Sequence, residues 1–292
     1  MTTESAFITT LRALATHPAA RGLSDDCAVL EIGCETLVLT HDAMAEGIHF
    51  LAGQDPADVA WKLVATNLSD LAAKGAEPLG LLLGYQFGHD DTRFAQGLGE
   101  ALEQFKVPLL GGDTIGGTGA QVLGLTALGR ATHRPVPSRS GAKAGDSVWI
   151  TGALGAAMAG FEALQAGAGD SIAYRRPVPL LAEGQALAPR VTAMMDVSDG
   201  LLLDCTRLAQ ASGVTIALNS QLIPIAVGEE RRDEALRWGE DYQLLFTLPP
   251  GAAPPCPATA IGSVRAAGPH PLLLDNVPPT GRLGYEHGGN SA

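Results

Sequence analysis

Two hydrophobic periods alternate along the chain, and they predict short strands interleaved with amphipathic helices. Residues 5–17 follow a helical period, with Phe7, Ile8, Leu11 and Leu14 on one side. Residues 36–40 are β-branched and apolar and read as a strand that ends at His41-Asp42. Asp55-Pro56 opens a helix, Asp as its cap and Pro at its first position, running to about residue 73. Ala60, Val64, Leu68 and Leu71 form its apolar side, and Asn67, Asp70 and Lys74 share an adjoining polar stripe. Asp70 and Lys74 have the spacing of a surface ion pair; alternatively, Asp70 points into a buried site. A strand at 79–85, a helix at 90–105, a strand at 107–110 and a strand at 121–129 follow.

Residues 130–145 break the pattern with Pro135, Pro137, Ser138, Ser140 and Gly141, which divides the chain into domains at 1–137 and 138–292. The second half restarts with a strand at 146–150, a turn carrying Gly152 and Gly155, and an alanine-rich helix to about 166. That turn lacks the lysine of a phosphate loop, so its glycines read as packing residues. A short helix at 180–187 precedes a strand at 191–195, then the turn Asp196-Val197-Ser198-Asp199-Gly200 and a helix closed by Gly213. Strands at 214–218, 243–248, 259–264 and 271–274 complete an α/β pattern, and a polar tail at 284–287 frays.

Several acids stand at strand ends or turns: Asp25, Asp26, Asp42, Asp113, Asp196 and Asp199, with Asp70 on its helix. Each alone is ordinary. Asp199 reads as a helix cap, and Gly111-Gly112-Asp113-Thr114 as a common turn. Together, without a cation, they would repel and raise one another's pKa. A hard dication resolves the conflict, because magnesium prefers oxygen ligands shared between carboxylates and phosphates. Phosphoryl transfer on several Mg2+ ions, without a P-loop, is the chemistry this grammar suggests.

Composition narrows the field. The 292 residues are 46% hydrophobic and 17% charged, enough for two cored domains. The formal net charge of −12, with no basic cluster beyond Arg175-Arg176 and Arg231-Arg232, argues against nucleic-acid binding. The four cysteines have no paired spacing and read as free thiols of the cytoplasm. A signal peptide and a membrane-length apolar run are not expected.

An ordered set of motifs resembles thiamine-monophosphate kinases: Asp25-Asp26-Cys27-Ala28-Val29-Leu30, Thr40-His41-Asp42 with Glu46-Gly47-Ile48-His49-Phe50, Asn67-Leu68-Ser69-Asp70, Gly111-Gly112-Asp113-Thr114, Arg139-Ser140-Gly141, Asp196-Val197-Ser198-Asp199-Gly200 and Gly239-Glu240-Asp241-Tyr242. The resemblance spans roughly residues 5–287 and implies a two-domain fold like that of aminoimidazole ribonucleotide synthetase, α/β (α+β), with the N-terminal sheet pairing across a homodimer. It implies that ATP phosphorylates thiamine monophosphate to thiamine diphosphate with Mg2+. It further implies Asp26, Thr40, His41, Asp42, Asp70, Asp113, Asp196 and Asp199 as metal ligands, with Asp42, Asp70, Asp196 and Asp199 at the chemistry. Gly112, Asp113, Arg139 and Ser198 would hold ATP, and His49, Glu240 and Tyr285 the thiamine substrate. The chain departs from the family pattern at Ser24, His41, Lys74, Trp238 and Gln243. His41 replaces a hydroxyl, and magnesium prefers oxygen to imidazole. A catalytically idle nucleotide-binding dimer is the alternative, but it has no use for so many acids.

Overall fold

A computed structural model describes residues 4–286. The N-terminal half comprises α1 (Glu4–Arg12), β1 (Ala28–Ile32), β2 (Glu35–Ala45), α2 (Pro56–Ala73), β3 (Ala76–Gln86), α3 (Asp91–Phe105), β4 (Leu109–Ile115) and β5 (Val122–Ala131). Its sheet has the order β1-β2-β5-β3-β4, antiparallel except for the β3/β4 pair. The C-terminal half comprises β6 (Ser147–Ile150), α4 (Ala156–Ala166), α5 (Ile172–Arg175), α6 (Leu181–Leu187), β7 (Ala193–Asp196), α7 (Leu201–Ser212), β8 (Thr215–Leu218), α8 (Arg232–Arg237), β9 (Leu244–Leu248), β10 (Thr259–Arg265) and β11 (Leu272–Leu274). Its sheet has the order β11-β8-β10-β6-β9-β7, so the strand that carries the Asp196 turn lies at an edge.

Three elements depart from the sequence pattern. The first helix stops at Arg12 instead of continuing to 17, and Phe7 and Leu14 of its expected apolar side are exposed. Pro18 forces His17 into an extended conformation, and the His17 ring accepts from the Ala19 N–H. β2 does not end at His41-Asp42. Its ladder with β5 continues in register to Ala45, which buries Thr40 on one face and exposes His41 on the other. Gly112 and Asp113 lie within β4 rather than in a turn after it. A Cβ on Gly112 would stand 2.0 Å from the Leu83 carbonyl oxygen, so glycine is what lets β4 lie against β3.

α2 and α3 cover one face of the first sheet, where Val64, Leu68, Leu71, Phe94 and Leu98 pack on Leu81, Leu123 and Leu125. α2 is buried on nearly every side, since its last turn also meets the second half: Ala72 and Ala73 join Leu187, Met194, Phe246 and Leu248 in one apolar cluster. Its start is as expected, with Asp55 accepting from the Ala57 N–H and Pro56 following. The core of the second half gathers Ile150, Met195, Leu202, Leu208, Ile216, Leu245 and Ile261. Among the described residues, no helix is long and apolar enough to cross a membrane. His287 and the rest of the tail lie outside the described residues, but just before it the Tyr285 N–H is anchored to the Asp199 carbonyl.

Candidate active site

A helix buried on all sides must place any polar residue against a partner. α2 does so repeatedly along an i, i+4 stripe. Asp58 meets Arg175 and Arg176. Lys62 meets Glu240 at 2.7 Å. Asp70 accepts from the Thr40 hydroxyl. Lys74 meets Asp25 and Asp26. Of the two readings of this spacing, the Asp70–Lys74 surface pair is not made; both side chains point inward, to different partners. Beside the stripe, the Asn67 amide oxygen accepts from the Asp42 N–H at 3.1 Å, and Ser69 Oγ donates to Asp196 Oδ2 at 2.6 Å.

This helix, the turn before β1 and the end of β7 bring together Asp26, Asp70 and Asp196. Each offers an oxygen within 4.8 Å of the other two. Burial first, and then Asp42, Asp196 and Asp26, push Asp70 well above the usual carboxylate range. Burial, with Asp26 next, pushes Asp196 up to about 7. Asp42 rises to about 6 through burial, against the pull of His41 and with the help of Asp199 and Asp26. Asp26 Oδ1 accepts from Arg139 Nε at 2.8 Å. Its Oδ2 stands against the Lys74 ammonium yet receives no aligned hydrogen bond. Converging buried carboxylates from three segments form an all-oxygen donor set that suits a hard dication. Asp25 behaves in the opposite way. Burial opposes its ionisation, but Lys74 and Arg21 hold it far below the ordinary range.

The turn after β7 is built differently from its sequence reading. Asp199 is not the cap of α7. Gly200 takes that position, and the fully buried Asp204 reaches back to accept from the Ser198 and Asp199 N–H groups, both at 3.1 Å. Asp199 itself pairs with Arg207, which also holds Asp204 at 3.0 Å. The loop 238–242 lies on this turn, with the Glu240 N–H bonded to Ser198 O and the Tyr242 N–H to Val197 O. Gly239 makes that approach possible, because a Cβ there would stand 2.1 Å from Ser198 O.

The other candidates fall in four places. Asp113 and Gly112 lie on the exposed strand β4, and the Asp113 carboxylate accepts from the Thr114 N–H. His41 is on the sheet face opposite Thr40 and Asp42, bonded to Thr126 Oγ1 at 2.9 Å and laid over Gly124. Its imidazole is thus not brought to the acid group, because alternate side chains of a strand point to opposite faces. Glu240 and His49 meet through Lys62, whose ammonium also donates to the His49 carbonyl at 2.8 Å and lies 3.6 Å from the centre of the Tyr174 ring. The His49 ring accepts from the Ala45 N–H. Tyr285 is stacked by Arg282 and tied by its backbone to Asp199.

Lys62, Asp204, Arg207 and Arg21 are absent from the sequence reading. The four-residue spacing of Asp58, Lys62, Asp70 and Lys74 was the available signal for Lys62. For Asp204 the signal was an acid in the first turn of a helix, able to reach back as a cap.

A paired-sheet fold with a buried acid group between its halves defines a class. Residues 24–131 match the model of the AIR synthase related protein N-terminal domain, and 143–266 that of its C-terminal domain. Within the class, the chain is 38% identical over 252 residues to the thiamine-monophosphate kinase of Escherichia coli, covering 78% of this chain and 76% of that protein. It is 38% identical to the one from Caulobacter vibrioides, covering 81% and 73%. The solved structure of AaThiL complexed with AMPPCP and TMP superposes with a TM-score of 0.87 at 30% identity, covering 98% of this chain and 97% of that one. The chain belongs to the thiamine-monophosphate kinase family.

Proposed function

We propose that the protein transfers the γ-phosphoryl group of ATP to thiamine monophosphate, giving thiamine diphosphate and ADP. The observation that carries the reading is the convergence of Asp26, Asp70 and Asp196 between the two halves of a chain from this family. Mg2+ held there would neutralise and orient the phosphates. Asp42 and Asp199, within electrostatic reach of the group, and Thr40 complete its oxygen shell. Gly112 and Asp113 on β4, with Ser198 and Arg139, take the nucleotide side. The acceptor is a phosphate oxygen already ionised at neutral pH, so no strong base is required. Positioning and charge neutralisation supply most of the rate.

His49, Glu240 and Tyr285 form the thiamine side. Burial raises the pKa of Glu240 and lowers that of Lys62. Lys62 keeps the Glu240 carboxylate paired and turned toward the loop that bears His49. The domain boundary falls at 137/138. The protein works as a homodimer in the cytoplasm, where its four free cysteines stay reduced. Exposed Leu82, Leu110, Ile115 and Val122 give the N-terminal sheet an apolar surface suited to the dimer.

The test is product formation from ATP, Mg2+ and thiamine monophosphate, followed by chromatography, with Asp70→Asn as the control. The expected result is thiamine diphosphate from the native protein and a loss of at least ~100-fold in the variant. Mg2+-dependent ATP binding with no product would overturn the reading in favour of another acceptor.

A further inference from the structure

Lys74 follows the last residue of α2, and its side chain is wholly inside the protein, 0% exposed. Its ammonium is held by three oxygens: Asp25 Oδ1, Asp26 Oδ2 and, at 3.3 Å, the Met194 carbonyl of β7. An ammonium has three donors and is a compact point charge. Here the oxygens around it come from two separate segments, an environment that would equally suit a small hard cation.

The contrast within the acid group is informative. Asp26 is countered twice by the chain itself, by Lys74 at one oxygen and by Arg139 at the other. Among the described residues, the side-chain hydrogen bonds to Asp70 and Asp196 come from neutral hydroxyls, Thr40 and Ser69. Lys74 has no access to solvent, so it does not reach a nucleotide. It acts on the charge of the group rather than on the substrate.

We propose that Lys74 is a built-in cation that takes the place of one divalent ion, so that the chain binds one Mg2+ fewer at the acid group than it would without the lysine. Lys74 is thereby a positioning residue that fixes Asp25 and Asp26 against β7. The proposal rests on the reading of the acid group as a magnesium site.

The probe is Mn2+, counted on the full-length protein without nucleotide from the electron paramagnetic resonance signal of the free ion. Lys74→Met is expected to bind about one Mn2+ more per chain than the native protein, and to gain a larger rise in melting temperature from Mg2+. Lys74→Gln, which keeps a donor without the charge, is expected to behave the same way. The double variant D25N/K74M, which loses an anion together with the cation, is expected to return to the native count. A K74M chain that folds only when Mn2+ is added, followed by circular dichroism, also supports the proposal. An unchanged count in either single variant that folds overturns it. Turnover of thiamine monophosphate by the native protein is measured separately. Its failure discards the kinase reading, whereas an extra Mn2+ in the variants still upholds the role of Lys74.

Discussion

Asp196→Asn should make the metal-free protein more stable while destroying its activity. Asp196 is 2% exposed, and burial together with Asp26 lifts its pKa from 3.8 to about 7. A carboxyl raised in the folded state contributes stability below its unfolded pKa and loses it as pH rises through the folded value. Without metal, the loss therefore accumulates between about pH 4 and pH 7 and is complete near pH 8. The rise corresponds to about 4 kcal/mol. Asp70 and Asp196 titrate together, so a single neutral replacement should recover about half, ~2 kcal/mol. Asparagine keeps an oxygen that accepts from Ser69 Oγ, which lies 2.6 Å from Asp196 Oδ2. For a chain of this size the gain amounts to a melting temperature higher by ~3 °C. The assay is calorimetry in EDTA at about pH 8 and about pH 4.5, paired with turnover in Mg2+. The variant should exceed the native protein at the higher pH, match it at the lower, and gain little from Mg2+. A variant no more stable than native at about pH 8, or equally shifted at both pH values, would refute the reasoning that uncompensated buried charge costs the apo protein stability.

Three further outcomes follow from the same geometry. Lys62→Met leaves Glu240 without its cation and should cost ~2–3 kcal/mol, below the usual figure for a buried pair because the Glu240 side chain is 22% exposed. The urea midpoint should fall accordingly and recover in K62M/E240Q. Asp204→Ala strips two N–H groups and Arg207 of a buried acceptor and should cost ~3–5 kcal/mol by denaturant titration. Asp204→Asn, which keeps an acceptor, should lose clearly less. Leu110→Asp places a charge on an exposed apolar strand, 56% accessible at that residue, and should shift light scattering from dimer to monomer at micromolar concentration without changing the circular dichroism.

The local patterns were strong enough for the order of elements to be read from the chain. Asp55-Pro56 specified the start of α2, Gly213 the end of α7, and β-branched runs the strands, because caps and side-chain periods act over a few residues. The acids were likewise visible as candidates. Which of them would meet was decided by packing. β2 continues past His41 because β5 offers a ladder as far as Ala45, and that register turns the imidazole away from Thr40 and Asp42. The Lys74 spacing fits an exposed pair with Asp70, but the second sheet covers the end of α2 and gives Lys74 the Asp25-Asp26 turn instead. The periodicity of a helix shows which residues share a stripe. Only the contact between the two halves, through Ala72, Ala73, Met194 and Phe246, decides whether that stripe faces water or a buried group of carboxylates. The strength of each charge there is set by desolvation and by partners more than a hundred residues away in sequence, as for Ser69 and Asp196, a term that the chain's local order does not contain.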